Sequence, residues 1–558
     1  MDSERSQVSK RIRLQIVILA LGASLVPTAV VTAQNSATNP PPAKMRDQRV
    51  ELATKIRQPW TLAAVGDLIE MQPFSKNNDP AIQAMVHLLR GADMTVANME
   101  SMIVDFDNYT GPAGPNLATK EVADDMAAMG IRMVTKANNH TFDGGEQGMW
   151  ENFHQLERVG IIHVGAGRSM AEARSPRYCQ TPKGLVGLIG IYTDGGARPV
   201  PGGTYNVTQE QLAQLRAMRD SIVARRLEVE NPIEVPPPDE EGMTSVWNAT
   251  FKVGHTGSGN PGPAEAGRGG GRGGEARQAV NSSLRLTQYN GVTADQMTQL
   301  RAMPGAVAQG DTVSVFGQNF RVTPKPGEYT YDINAEDERD ILRNIKTGKQ
   351  CSDFLVATIH WHQNRYAFQH YSFDHYPAEF EIKLAHEAID MGADTFVGHG
   401  IHTIKGVEIY KGKPIFYGVS NYVFQSQIMP MFALEPGPPV ESGRGGADAQ
   451  QRSRIVGLGE ENELRWAWLQ QPDNLEALLT TSHFENGALT EVRIYPVDIG
   501  LTPRPGSQLG IPRKPTPEIA QKILEHVVKY SKPFGTKIVI ENGVGIIRIP
   551  PNAQTASH

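Results

Sequence analysis

Five short apolar runs in this chain each stop at a cluster of oxygen- and nitrogen-bearing side chains. Residues 61–65 stop at Gly66-Asp67, residues 94–97 at Asn98-Met99-Glu100, and residues 131–135 shortly before Asn138-Asn139-His140 and Asp143. Residues 354–359 run into His360-Trp361-His362, and residues 395–397 into Gly398-His399-Gly400-Ile401-His402. Short β-branched and apolar runs bounded by Gly, Asn and Asp read as strands. Helical patterns lie between them, at residues 122–129, 149–159, 336–347 and 380–391, with further strands at 161–164 and 186–193. Alternating strands and helices mean α/β layering. In an open α/β sheet, ligands bind at the carboxyl edge of the strands. All five clusters fall there.

Asp, Glu, Asn and His together form the donor mix of a divalent transition-metal site. The clusters hold enough donors for two ions, which would polarise a scissile group and activate water. No Cys takes part, which disfavours a structural zinc site. Taken singly, each cluster also reads as something plainer. Gly-Asp after a strand is a common turn, residues 98–100 a polar loop, and His360 with His362 a satisfied structural pair. The case rests on five of them sharing one placement.

The remaining composition narrows the class. Lys+Arg 54 against Asp+Glu 60 gives a formal charge of −6 over 558 residues, the wrong sign for a dedicated nucleic-acid binder. The length suggests two to four domains. Beyond residue 36 no run is long and apolar enough to span a bilayer. Before it, Lys10, Arg11 and Arg13 precede an apolar core at 16–26 that ends at Pro27, and Val31-Thr32-Ala33 follows. This reads as an export signal over residues 1–33 with Gln34 as the new N-terminus. The alternative is a membrane anchor formed by residues 14–33. The expected location is therefore periplasmic or extracellular. An oxidising compartment permits Cys179 and Cys351 to pair, although two separate thiols are an equal reading.

The core pattern is interrupted. Residues 34–58 read as a polar tether, about 200–334 as an insert, and 435–462 as a Gly/Pro-rich linker. Within the insert, 236–274 is expected to be disordered, since 254–274 hold ten Gly in 21 positions and cannot bury a core. Residues 207–218 recur at 292–303, each copy with a capping-box start, Thr208 with Gln211 and Thr293 with Gln296. We read them as two equivalent amphipathic helices. Residues 463–550 read as a C-terminal hairpin and helix completing the domain. Asn486-Gly487 and Asn542-Gly543 mark hairpin turns, and Thr516-Pro517 a helix start.

The runs Ala137-Asn138-Asn139-His140, His360-Trp361-His362 and Gly398-His399-Gly400-Ile401-His402 resemble the CapA family, named for capsule synthesis and specifically poly-γ-glutamate. So does the stretch 406–424, which includes Gly418-Val419-Ser420-Asn421. The resemblance covers about residues 60–195 and 335–425. It implies a four-layer α/β/β/α sandwich, as in calcineurin-like metallophosphoesterases, with a dinuclear site of Mn, Fe or Zn at the strand ends. By the same resemblance Asp67 is the first-strand carboxylate, and Glu100 takes the place of a bridging Asp. Asn139 and His140 are the pair that binds metal and the substrate's oxyanion, with His140 catalytic. His360, His399 and His402 are the later histidine ligands. Two departures stand out: His362 where the family commonly has Gly, and Ile401 where it has Pro. An extended backbone through His360-Trp361-His362 is expected to part the two imidazoles, leaving His362 structural and His360 the ligand.

Two functions remain open on this reading. One is a metal-dependent hydrolase or transferase acting on a phosphoester or on the amide of an exported anionic polymer such as poly-γ-glutamate, with a periplasmic phosphoesterase as its variant. The other is a non-catalytic component of polymer export or attachment, working with other capsule-synthesis proteins. Neither needs nucleic acid, and a membrane enters only if the N-terminal segment is retained.

Overall fold

The computed structural model describes residues 48–114, 116–194, 202–229, 243–246, 249–253, 279–366, 374–425 and 472–550. The expected signal segment 1–33 and the linker 435–462 lie outside the described residues, as do 34–47 of the expected tether. The rest of that tether packs. Ile56 is buried in the inter-sheet core and Thr54 Oγ1 donates to Asp394, so the expected tether does not extend through residue 58.

Two mixed sheets lie face to face. In the first, the parallel strands Trp60–Ile69, Met94–Met99, Met133–Thr135 and Ile162–Val164 continue into the antiparallel hairpin Glu476–Glu485 and Ala488–Asp498. In the second, Gly184–Asp194, Phe354–His360, Thr395–His399 and Lys413–Phe416 run parallel and adjacent. Strand parity sorts the side chains. Leu62, Ala64, Met94, Val96, Leu188, Phe354, Val356 and Val397 meet between the sheets. Their neighbours Ala63, Val65 and Ala97 face the helices Pro80–Arg90 and Glu121–Ala128 on one outer side. Leu355, Ala357, Ile359 and Phe396 face Ala335–Gln350 and Glu379–Asp390 on the other. The order is α/β/β/α, the expected four-layer sandwich.

Local signals account for most of the elements. Asn486 and Asn542 adopt positive φ beside Gly487 and Gly543, as two-residue hairpin loops require. Thr516 caps Pro517–Ser531 by accepting from Ile519 N. The helix Pro80–Arg90 has Ile82, Met85, Val86 and Leu89 on its buried face and Asp79 as its cap, a pattern not singled out above. The strands run further than the sequence reading allowed. Trp60–Ile69 passes through Gly66-Asp67, and Met94–Met99 includes Asn98.

The insert contains more order, and more repetition, than expected. Met243–Val246 and Ala249–Val253 are strands inside the stretch read as disordered; this short run lacks the Gly and Pro that surround it. The echo between helices also extends to whole units. Each copy has a strand (Gly202–Val207; Ser283–Val292), a capping box, a helix (Gln209–Val229; Ala294–Arg301) and a hairpin (Met243–Val246 with Ala249–Val253; Thr312–Val315 with Gln318–Val322). In both, the last arm pairs parallel with the first strand, and the register repeats. Asn206 and Val207 lie opposite Lys252 and Val253, as Gly291 and Val292 lie opposite Arg321 and Val322. Val207, Leu212, Leu215 and Met218 share one core with their counterparts Val292, Met297, Leu300 and Met303. The insert is a tandem duplication of a strand–helix–hairpin unit.

At the amino ends of the second sheet, Asp394 is fully buried and accepts from Lys349 Nζ (2.6 Å), Lys413 Nζ (2.8 Å) and Leu355 N (2.9 Å). Removing one member of a buried pair leaves the other charge uncompensated. Asp394→Ala is expected to cost about 3–5 kcal/mol of unfolding free energy, read by chemical denaturation.

Candidate metal centre

Two of the candidate ligands, His360 and His399, are the last inward rung of a strand, as is Asn98 beside them. Parity carries Met94, Val96 and Asn98 into the inter-sheet space, as it does Phe354, Val356 and His360, and Val397 and His399. Register then sets Asp67 opposite Asn98 and Asn421, and His360 opposite His399. Asp67 is the exception to simple parity. Leu62 and Ala64 face inward, so an uninterrupted strand would turn Asp67 toward the outer helices. Between Ala64 and Asp67 the register slips, with Val65 and Gly66 opposite Ala97 alone. This is a bulge, and it re-aims the carboxylate. Gly66 permits it, because a Cβ there would lie 1.8 Å from Ser420 O, to which Asp67 N donates.

The result is a fully buried cluster centred on Asp67. Its Oδ1 accepts from Asn98 Nδ2 (2.8 Å) and lies 3.6 Å from His399 Nδ1 and 3.9 Å from His360 Nδ1. Its Oδ2 accepts from Gly400 N (3.0 Å) and lies 3.6 Å from His402 Nδ1. Glu100 Oε1 is 3.3 Å from His360 Nδ1, and the His360 and His399 Nδ1 atoms are 3.2 Å apart. Asp67, His360 and His399 form one set whose donor atoms all lie within 4.8 Å of one another, and Asp67, Glu100 and His402 form a second. The two sets share Asp67.

These residues fit divalent ions on two counts. Bonds of about 2.0–2.2 Å to N and O donors give tetrahedral edges of about 3.3–3.6 Å, close to the separations among Asp67, Glu100, His360 and His399 above. Buried polar atoms also stand without hydrogen-bond partners here: Glu100 Oε2, His360 Nε2 and His399 Nε2. The electrostatics agree. Burial pushes the Asp67 carboxyl up to about 7, against the opposing bonds from Asn98 and Gly400. Burial, then the Asp67 charge, raises Glu100 well above the carboxylate range. Burial lowers His399 to about 3 and His402 to about 4, and holds His360 well below its ordinary value. Anions and cations are both disfavoured in a desolvated pocket with no counter-charge, and a bound cation supplies that charge for the carboxylates. His402 Nδ1 donates to Asn421 Oδ1 (2.7 Å), which fixes its tautomer. His402 also sits at φ 58° and Ser420 at φ 64°. Backbone strain of this kind clusters at functional sites.

Asp67, Glu100, His360, His399 and His402 are thus brought together. His140 is half-buried at the cluster's edge, its Nδ1 2.7 Å from Asp143 Oδ2 and 2.8 Å from Asn116 Nδ2. Asn139 is exposed. The buried asparagine of that pair is Asn138, whose Nδ2 donates to Asn98 Oδ1 (3.0 Å) and Met99 O (2.9 Å). The expectation for His362 is corrected. Its ring lies 4.7 Å from that of His360 and 5.9 Å from that of His402, because side chains two residues apart on extended backbone share a face. Asn98, Asn138 and Asp143 stood inside the quoted clusters but were not assigned roles. Asn98 could have been found by the same inward parity as His360. Cys179 and Cys351 are both free thiols, the first buried and the second exposed.

Ions entering this site must displace the Asp67 proton and the Glu100 proton, both raised by burial, so affinity for Mn2+ or Zn2+ should rise with pH through about 7 and beyond. The slope expected is about tenfold per pH unit for each proton released, measured by calorimetric titration. Asn98→Ala, which removes the donor to Asp67 Oδ1, should lower that affinity by about 10–100-fold.

Comparison with known proteins identifies the family. Residues 61–241 and 267–426 match the family model described as bacterial capsule synthesis protein PGA_cap. The uncharacterized protein y4sH of Sinorhizobium fredii is 31% identical over 517 residues, covering 89% of this chain and 95% of its own. The PGA biosynthesis protein CapA of Bacillus subtilis is 35% identical over 95 residues, 17% of this chain and 23% of that one. The capsule biosynthesis protein CapA of Bacillus anthracis is 33% identical over 73 residues, 13% and 16% of the two chains. The matched segments contain all five strand-end clusters, and the chain belongs to the bacterial capsule synthesis protein family PGA_cap.

Proposed function

We propose that this protein is an exported metal-dependent hydrolase of capsule polymer synthesis or processing. The single observation that carries the reading is the pair of buried donor sets sharing Asp67 at the meeting edge of two sheets. A purely structural cluster has no need of two carboxylates and three imidazoles, among which Glu100 Oε2, His360 Nε2 and His399 Nε2 stand buried and unpaired. The role in polymer metabolism is drawn from the family and from the CapA relatives, and the substrate class is a phosphoester or γ-glutamyl amide of an anionic polymer. Other capsule-synthesis proteins are the natural partners.

Asp67, Glu100, His360, His399 and His402 would hold two ions of Mn, Fe or Zn. Such ions supply polarisation of the scissile group and a water acidic enough to attack at neutral pH. The chain's own residues supply the rest. Asp143 accepts from His140 Nδ1–H and so leaves Nε2 to pass a proton or to face the developing oxyanion. Lys136, fully buried and drawn down to about 8 by that burial, donates to Ser101 O (3.1 Å) and steadies the Glu100 turn. Export rests on the basic residues 10–13 and the apolar core behind them, and the mature chain should begin at Gln34 on N-terminal sequencing; a start at Met1 in a membrane fraction would mean an anchor.

Activity should be assayed on a generic phosphodiester and on γ-glutamyl peptides. His140→Ala is expected to lower turnover by about 100-fold or more, and Asp67→Asn to remove both metal and turnover. A wild-type protein that binds metal and turns over neither substrate would assign it instead to the non-catalytic machinery of polymer export.

A further inference from the structure

The duplicated insert is tied to the His140 turn through one side chain. Between the two copies, Val280–Asn281 pairs with Ala166–Gly167, Ser282 N donates to Gly165 O (2.7 Å), and Tyr192 N donates to Ser282 O (2.9 Å). With its backbone pinned, Asn281 donates through Nδ2 to Asn138 O (2.7 Å) and to Thr141 Oγ1 (3.1 Å). Those acceptors flank His140. Thr141 Oγ1 in turn donates to Lys136 O (2.5 Å), and Asn138 Oδ1 accepts from His140 N (3.1 Å).

The line continues inward. Asn138 Nδ2 donates to Asn98 Oδ1 (3.0 Å), and Asn98 Nδ2 donates to Asp67 Oδ1 (2.8 Å) and lies 3.1 Å from His360 Nδ1. Three asparagines, from the insert and from two strand ends, thus run in sequence to the centre of the site. The outer one carries a cost, because Asn281 Oδ1 is buried without a hydrogen-bond partner. A serine would supply a donor without burying an unpaired carbonyl, but it has a single O–H and could not donate to both acceptors at once. The insert touches the other histidine loop as well: Tyr331 Oη donates to Asn364 O and Tyr329 N to Arg365 O, each at 2.7 Å, a few residues beyond His362.

We propose that Asn281 is a positioning residue, through which the duplicated insert holds the 138–141 turn and so fixes His140 against the metal cluster. The inference rests on the reading of His140 as catalytic. The insert is then part of the active apparatus, although none of its described residues is among the proposed ligands.

The test uses the full mature chain with Asn281→Leu, which keeps the branching at Cγ and removes the donor, and Asn281→Asp, which keeps the shape and sets an acceptor against Asn138 O. Hydrogen-exchange mass spectrometry of the metal-free protein reads the turn without any assay. Both variants should exchange faster in peptides covering residues 136–144, with the other peptides unchanged. On whichever substrate the wild type turns over, kcat should fall about 10–100-fold with KM held within about twofold, the mark of an interaction that serves the transition state. Wild-type exchange across 136–144 in both variants would overturn the proposal. So would exchange that accelerates evenly along the chain, which would make Asn281 a stability residue only. If the wild type has no turnover, the catalytic reading fails while the exchange measurement still decides whether Asn281 holds the turn.

Discussion

Everything at this site depends on one carboxylate being turned the wrong way for its strand. Asp67 would face the outer helices on a regular strand, and the bulge at Val65-Gly66 turns it into the space between the sheets. The bulge needs a residue without a side chain where the strand meets Ser420. Once inward, Asp67 has one oxygen toward His360 and His399 and the other toward His402. The Gly400 amide and the Asn98 amide hold it there. Without Asp67 the two donor sets have no common member.

The sandwich explains why such a costly cluster is tolerated. The candidate ligands sit at or just beyond the carboxyl ends of strands whose other inward residues are mostly apolar, so they are desolvated by the same packing that stabilises the fold. Burial pushes the carboxyls toward their neutral form and keeps the imidazoles neutral, which is unfavourable in isolation and suitable for receiving a cation. The compensating ionic interactions of the second sheet lie at the opposite end, around Asp394 and Lys349. Stability and chemistry are separated along the strand direction.

The segment read as an insert lies largely within the family match, which leaves out only its residues 242–266. A strand–helix–hairpin unit occurs twice, and the second copy extends the sheet that carries His360 through three residues paired with Gly184–Asp194. Its flanks then reach both histidine-bearing loops. The segment joining the copies is the one that meets Asn138 and Thr141, so the duplication and the site are connected by hydrogen bonds as well as by chain.

Periodicity, turn chemistry and caps are local, and so the sequence alone determined most of the core strands, three of the four outer helices, the Asn-Gly hairpins, and the placement of five polar clusters at strand ends. Parity on unbroken strands was equally available, and applied correctly it places His362 beside His360. What the tertiary structure decided is non-local. The slip that aims Asp67 depends on the register between strands some 30 residues apart and on the approach of Ser420. The choice of Asn138 over Asn139 depends on which of two adjacent amides finds Asn98 and Met99 within reach. Asn281 lies more than a hundred residues from the turn it holds, and nothing in its neighbours' pattern marks it. Such contacts are fixed by how two sheets pack, and packing is a property of the whole chain rather than of any window within it.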